Sequence, residues 1–329
     1  MSGQMTEQSQ PTLAEQGTNQ ESDIHPSPLL EKAVCVHSFN PKQKGTENIS
    51  ISGLDIYKQH IFLAEITTNR TLVFTDEGHF QFDIKVKSPY NVAVSQTGHL
   101  YITSPGDKCV KVYSTIGQQV TTMGQGQLEM PSGITLNREG HVMVCDMIEK
   151  SIFTFHASSG QLMDIISLSK CIYPAYITMH SVNDNIVISD WGTKSVHVLS
   201  PTGDQLYQYV TRDSGDGQLK KPDGDSGDGQ LKKPDGDSGD DQVKKPDRGS
   251  SDVKLSVPHG VCTDNHGHIF VADFLNHRIV ALNPQGEFVK YIVTKDDGLK
   301  YPTALAINPA GQLVVAEQWG KVKTFQYLQ

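Results

Sequence analysis

The chain has 329 residues, of which 36% are hydrophobic, and its 28 basic and 37 acidic residues give a formal net charge of −9. This acidic balance argues against a protein that coats nucleic acid, and no DNA partner is expected. No stretch approaches 18 consecutive apolar residues, so no membrane partner is expected either. Because residues 1–20 lack the apolar core of a signal peptide, the sequence predicts a cytoplasmic protein.

Two segments have compositions that do not support a folded core. Residues 1–32 are rich in Gln, Ser, Thr and Glu, and we expect a disordered tail because they bury too little apolar surface to offset the entropy of ordering. Residues 213–252 contain a twelve-residue unit, D-S-G-D-G-Q-L-K-K-P-D-G, which starts at Asp213, recurs identically at Asp225 and recurs loosely at Asp237. Each copy has one large apolar residue, and the aspartate spacing fits no EF-hand. This segment is predicted to be a disordered insert.

The rest of the chain repeats with a period of about 43 residues. Prolines separated by 42, 43, 84 and 44 residues each precede a short apolar run, and removing the insert from the long interval restores one period. These prolines are Pro89, Pro131, Pro174, Pro258 and Pro302.

Each period contains four predicted strands. A second run rich in β-branched residues, such as I-V-I-S-D ending at Asp190, follows the first. A third run alternates apolar and polar residues, and a glycine such as Gly203 then marks a turn into a fourth strand. Four antiparallel strands, repeated six times, predict an all-β fold, a six-bladed β-propeller over residues 33–329 with the 213–252 insert between its fourth and fifth blades.

Ring closure is also predicted from the sequence. The sixth repeat ends at Gln329 after its third strand, which leaves an unpaired edge. The segment Val34–Phe39 is a strand without a blade of its own, so we expect it to supply the outer strand of blade six.

The stretch Pro258–Leu282, P-H-G-V-C-T-D-N-H-G-H-I-F-V-A-D-F-L-N-H-R-I-V-A-L, resembles the NHL repeat. The ending F-Q-Y-L-Q at Phe325–Gln329 and the G-Q-L-x-x-P linkers are similar to those of the tripartite-motif (TRIM) branch of NHL proteins. Members of that family are typically ubiquitin ligases, in which a RING and B-boxes bind zinc and the propeller recognises the partner. The sequence lacks the Cys/His clusters of a RING, so the resemblance implies partner recognition without catalysis, in ubiquitin-linked regulation and proteasomal turnover.

Acidic residues end most of the second strands, and each is followed four or five positions later by a basic residue. Because they recur in nearly every blade, we interpret them as scaffold groups that hold the next turn by hydrogen bonds and a weak ion pair. The acids are Glu65, Asp146, Asp190, Asp273 and Glu317, and the bases are Arg70, Lys150, Lys194, Arg278 and Lys321.

The same turns lie on one face of a propeller, around its central opening, and this face is the predicted partner-binding rim. Its candidate residues are Arg70, Tyr90, Lys108, Lys150, Tyr176, Trp191, Lys194, His259, Phe274, His277, Arg278, Trp319 and Lys321. Several members of the TRIM-NHL family, which this sequence resembles, bind single-stranded RNA on this face. Aromatic rings there could stack on the bases. The near-neutral fold and the acids beside most of the bases favour a protein or peptide partner, with single-stranded RNA as the alternative.

His259 offers a third interpretation. A P-H-G at the start of a first strand is similar to the metal-binding histidine of six-bladed amidating lyases, which use three such histidines. The equivalent positions here are Ser132, Ala175 and Thr303, so a metal-dependent lyase is disfavoured. Five scattered cysteines without a C-x-x-C pair argue against a zinc site, and no nucleophile–base pair or phosphate loop stands out. The sequence therefore predicts a non-enzymatic protein without a metal or cofactor.

Overall fold

A computed structural model describes residues 29–43, 48–210 and 255–329. Within them, twenty-four strands form six antiparallel sheets of four strands each, which confirms the predicted six-bladed β-propeller. Residues 1–28 of the predicted tail and the predicted insert at 213–252 lie outside the described residues. No helix in the described ranges is long and apolar enough to cross a bilayer.

The blades follow one another along the chain. Blade one contains β2 (Ile51–Tyr57), β3 (His60–Glu65), β4 (Arg70–Thr75) and β5 (Phe80–Lys85). Blade two contains β6 (Val92–Val94), β7 (His99–Ser104), β8 (Cys109–Ser114) and β9 (Gln119–Met123). Blade three contains β10 (Pro131–Leu136), β11 (Val142–Asp146), β12 (Ser151–Phe155) and β13 (Leu162–Ser167). Blade four contains β14 (Pro174–Met179), β15 (Ile186–Asp190), β16 (Ser195–Leu199) and β17 (Gln205–Val210).

Blade five contains β18 (Pro258–Thr263), β19 (Ile269–Asp273), β20 (Arg278–Leu282) and β21 (Phe288–Val293). Blade six contains β22 (Pro302–Ile307), β23 (Leu313–Glu317), β24 (Val322–Leu328) and, as its outer strand, β1 (Leu29–Phe39). The helices of the described residues are three short 3₁₀ turns, Pro105–Asp107, Phe274–Asn276 and Lys295–Asp297.

The buried core lies between neighbouring blades. One cluster, for example, joins Val187 and Val196 of blade four to Val271 and Val280 of blade five. The first strands of adjacent blades approach each other closely around the axis. A Cβ added at Gly133 would lie 2.6 Å from the Cα of Tyr176 in the next blade, so only glycine fits there.

The N-terminal strand closes the ring as predicted. β1 pairs antiparallel with β24, with Val34 opposite Gln326 and Phe39 opposite Val322. The strand is longer than predicted, because it begins at Leu29 rather than at Val34. Lys290 of blade five donates hydrogen bonds to the carbonyls of residues 30 and 31, at 2.6 and 2.5 Å. Because these hydrogen bonds go to main-chain carbonyl groups, the amino-acid composition of residues 29–32 gave no sign that they belong to the strand.

The end of β24 is fixed to blade five as well. The Tyr327 hydroxyl is buried and donates to Oδ2 of Asp264 at 3.1 Å, and its ring packs edge-on against Phe270. The two terminal strands are therefore held to each other and to the preceding blade.

Removal of residues 1–39 should open blade six. Without β1, the edge of β24 is unpaired and Val322–Leu328 becomes available to other chains. We expect a lower melting temperature and concentration-dependent association, measured by circular dichroism and size-exclusion chromatography with light scattering. Removal of residues 1–28 is the control and should leave both properties unchanged. A 40–329 chain that is as stable and monomeric as the parent would contradict this closure.

Candidate partner-binding site

Buried carboxylates at the ends of the second strands build the face on which the predicted rim lies. Oδ2 of Asp146 accepts the backbone N–H groups of residues 129 and 130 at 2.7 and 2.8 Å, just before the first strand. Oδ1 accepts those of residues 148 and 149 at 3.0 Å, in the turn to the third strand. One side chain thus fixes two loops: the predicted turn to the third strand and also the segment before the first strand, which was not predicted.

Asp190 makes the same connections in blade four, to the backbone of Ile172, Tyr173 and Gly192. Burial opposes its ionisation, but hydrogen bonds from His197 and from these N–H groups hold the pKa of Asp190 well below its usual value. A carboxylate satisfied by backbone donors needs no cation.

The predicted ion pairs are largely wrong for this reason. Asp273 does pair with Arg278, at 2.8 Å, but Glu317 pairs with Lys323 rather than Lys321. Across the described ranges, Lys150, Lys194 and Lys321 form no ion pair, and Arg70 reaches Asp83 instead of Glu65.

The basic residues occupy two different positions, so the predicted ring of positive charge is not uniform. Lys108, Lys150 and Lys194 are turn residues with φ near +50°, whereas Arg70 and Arg278 begin the third strands. The arginines therefore lie one position later in the repeat than the lysines, and their side chains point in a different direction.

The two arginines turn toward the outer strands of their own blades. The guanidinium of Arg278 lies 4.4 Å from the ring centroid of Tyr291 in β21. Arg70 lies 3.7 Å from Asp83 in β5, and Lys108 is bound to Glu129. Three of the six predicted cations are therefore engaged within the scaffold.

The aromatic candidates, by contrast, come together in one continuous group around the central opening. We call this group the aromatic cluster, and its members are Tyr90, Tyr176, Trp191, His259, Phe274, His277, Tyr301 and Trp319. Seven of the eight were predicted from the sequence. Tyr301 was missed, although its position directly before Pro302 places it beside the start of a first strand.

His259 is at the centre of the cluster. Its ring stacks on Phe274 with centroids 4.4 Å apart, and on Trp191 at 4.9 Å. Burial lowers the pKa of His259 to about 3, so the imidazole is neutral at physiological pH. It contributes a ring face and nitrogen atoms rather than a charge.

Tyr176 closes the channel beneath the cluster. Its hydroxyl donates to the carbonyl of Ser52 at 2.7 Å, from blade four to blade one, the blade opposite. The side chain is buried and also contacts the rings of Tyr90 and His259. The central channel is thus blocked on this face.

Three polar atoms of the cluster are buried without a hydrogen-bond partner within the described residues. They are Oη of Tyr90, Nε1 of Trp191 and Nδ1 of His259. Buried polar groups are nearly always paired, so these atoms are the places where a ligand would gain most by offering a hydrogen bond.

Exposed apolar side chains surround the cluster. Ile148, Tyr173 and Trp319 are 57%, 55% and 54% exposed. Ile148 and Tyr173 donate backbone N–H groups to Asp146 and Asp190, and Trp319 lies in the turn after Glu317. With Ile172 and Leu275 they form what we call the apolar rim. Clustered exposed hydrophobic residues on one face are typical of a protein interaction site.

The channel opens on the opposite face, where the first strands turn into the second strands. It is part of an open cavity of about 1030 Å³, which is lined by first-strand residues of all six blades and extends between blades two and three to Val112 and His156. One of the first-strand residues, Asp55, was not singled out by the sequence reasoning. Its carboxylate accepts the N–H groups of Ile56 at 2.8 Å and Val94 at 2.7 Å, and burial raises its pKa from 3.8 to about 6.

Asp55→Asn should raise stability at neutral pH but not in acid. A carboxyl group whose folded pKa exceeds its unfolded value destabilises the fold once pH rises through that interval, here from 3.8 to about 6. The melting temperature of the variant minus that of the wild type should therefore grow from pH 4 to pH 6 and then stay constant. Asp164→Asn, on an exposed outer strand, is the control and should show no such trend. A difference independent of pH would contradict the assignment.

Possible metal ligands lie elsewhere than the cluster. Cys171, Asp190 and His197 present buried ligand atoms within 4.8 Å of one another, but both oxygens of Asp190 already accept backbone hydrogen bonds. At the positions equivalent to His259, the Ser132 hydroxyl donates to Pro174 and the Thr303 hydroxyl donates to Ala316. These residues serve the scaffold and do not complete a histidine set.

Comparisons with known proteins agree with this architecture. The family model for the NHL repeat matches residues 255–282, which cover blade five through its third strand. Mouse NHL-repeat-containing protein 4 is 40% identical over 72 residues, which are 22% of this chain and 51% of that protein. Human E3 ubiquitin-protein ligase TRIM32 is 25% identical over 247 residues, 74% of this chain and 34% of the ligase. The chain is thus homologous to NHL-repeat proteins, but spans about a third to a half of these relatives.

Solved structures with the same fold are more distant in sequence. A catalytically inactive variant of virginiamycin B lyase from Staphylococcus aureus, solved with quinupristin, superposes with a TM-score of 0.59 at 12% identity, over 88% of this chain and 87% of that one. A putative gluconolactonase superposes with a TM-score of 0.57 at 15% identity, over 89% and 94% of the two chains. Identities this low show the shared propeller fold alone.

Proposed function

We propose that the face formed by the aromatic cluster and the apolar rim binds a protein or peptide partner, and that the chain recognises this partner in ubiquitin-linked regulation. The observation that carries the proposal is the continuous aromatic surface flanked by exposed apolar side chains. Aromatic residues near the centre of an interface supply most of its binding free energy. The link to ubiquitin rests on the homology to a ubiquitin ligase.

The arrangement of charge favours protein over single-stranded RNA. Of the six basic candidates, Lys150, Lys194 and Lys321 are exposed, while the other three contact acids or the Tyr291 ring. RNA affinity depends on several phosphate contacts at once. A net charge of −9 opposes such contacts further.

The chemistry of the cluster also favours binding over catalysis. The neutral His259 has aromatic neighbours on both sides, and the equivalent positions in blades three, four and six hold Ser132, Ala175 and Thr303. We therefore propose a recognition scaffold rather than a metal-dependent lyase.

A triple variant of the exposed rim tests the proposal: Tyr173→Ala, Leu275→Ser and Trp319→Ala. These side chains are exposed, so the fold should persist, whereas Trp191 and Phe274 stack on His259 and their loss would disturb the scaffold. Proteins captured by the wild type should be lost, and a purified partner should bind at least tenfold more weakly, about 1.4 kcal/mol. In cells, its ubiquitylation should depend on the same residues.

The control replaces three exposed apolar residues of outer strands, Val120, Met163 and Ile165, with alanine. It should bind like the wild type. Identical partner sets for the wild type and the rim variant would overturn the proposed surface. Salt-dependent binding of short single-stranded RNA, abolished by Lys150→Glu with Lys194→Glu, would favour the alternative instead.

A further inference from the structure

The channel on the opposite face is a second candidate site, separate from the aromatic cluster and independent of the proposed function. It is blind, because Tyr176 spans it from blade four to Ser52 of blade one. The cavity that includes the channel and the cleft between blades two and three has a volume of about 1030 Å³, at the upper end of the range of small-molecule pockets. The lining includes small or apolar side chains such as Ala93, Ile134 and Ala306.

Asp55 breaks the sixfold symmetry of this channel. The strand register identifies the equivalent residue in each blade, since each pairs with the residue three positions before the end of its second strand: Asp55, Ala93, Thr135, Thr178, Cys262 and Ala306. All six line the channel, and Asp55 is the charged member of this level. A residue that departs from the repeat is a better candidate for function than one that every blade shares.

The Asp55 carboxylate has no cationic partner in the described part of the chain. Each of its oxygens accepts one backbone N–H and retains acceptor capacity. The basic groups at the mouth of the channel are already matched, since Arg138 pairs with Asp184 at 2.6 Å and His141 lies 3.1 Å from Glu139. Burial raises the pKa of the neighbouring Cys262 thiol, so it stays neutral and Asp55 is the anion at this level.

An anion within a partly apolar channel is stabilised by a cation that brings its own apolar stem. The hydroxyl groups of Thr135 and Thr178, at the level of Asp55, offer further acceptors for an ammonium group, which has three donors. A slender aliphatic chain would pack along apolar side chains nearer the mouth, such as Val94, Leu136 and Ile307.

We propose that the channel binds a primary ammonium group on an unbranched aliphatic chain, with Asp55 as its counter-ion. Two sources have this chemistry: a lysine side chain of a peptide, and a free aliphatic diamine or polyamine. A purely structural role, in which Asp55 only bridges β2 to β6 through the Val94 N–H, would give no such binding.

Isothermal titration calorimetry of the full chain at pH 7.5 tests this proposal with n-hexylamine and, as the uncharged probe, 1-hexanol. Hexylamine should bind at least tenfold more tightly than hexanol. Asp55→Asn should remove that advantage, while Asp164→Asn, which deletes an exposed carboxylate from an outer strand, should bind like the wild type.

A steric variant tests the channel independently of any change at Asp55. Thr178→Leu fills the channel at the same level and retains the carboxylate, so it should also weaken hexylamine binding at least tenfold. Tighter binding of Nα-acetyl-lysine methylamide than of 1,5-diaminopentane identifies a peptide lysine as the ligand, and the reverse order identifies a free diamine. No hexylamine binding to the wild type, equal affinity for hexanol, or unchanged affinity in Asp55→Asn would overturn the proposal.

Discussion

The pairing of β1 with β24 is the constraint on which the rest of the molecule depends. A propeller has a central channel and two distinct faces only if its last sheet is complete, and here the completing strand comes from the opposite end of the chain. Main-chain hydrogen bonds between β1 and β24 hold the two strands together. Tyr327 on Asp264 and Lys290 on the carbonyls of residues 30 and 31 fasten both strands to blade five. Ring closure therefore depends on contacts with blade five as well as on the pairing within blade six.

Within the closed ring, residues that recur from blade to blade support the scaffold, and residues found in one blade are the candidates for function. Asp146 and Asp190 perform the same task in successive blades, each accepting backbone donors from two loops. Because those donors satisfy the carboxylates, the lysines of the same turns stay in solvent and cost the fold little. The side chains that differ from blade to blade, such as His259 and Asp55, are those that give each face its own chemistry.

The fold was predictable because its signals are local and repeated. Proline spacing, strand runs and turn glycines each predict the same period, and the missing outer strand followed from counting. The aromatic cluster was largely predictable too, since position within a repeat determines proximity to the axis. The spacing of the basic residues did not predict the direction of their side chains. Lys150 lies in a left-handed turn, whereas Arg278 begins a strand and its side chain turns outward to Tyr291. Asp55 was missed because its lack of a cationic partner among the described residues depends on strand register and burial, and neither can be read from the sequence.

The Tyr176 side chain has a consequence for how the two faces communicate. Because it spans the axis and hydrogen-bonds to the opposite blade, it acts as a septum, and the molecule has two compartments back to back instead of a pore. Any influence of one compartment on the other must pass through movement of this single ring or of the first strands that hold it, so the two proposed ligands would not compete for space.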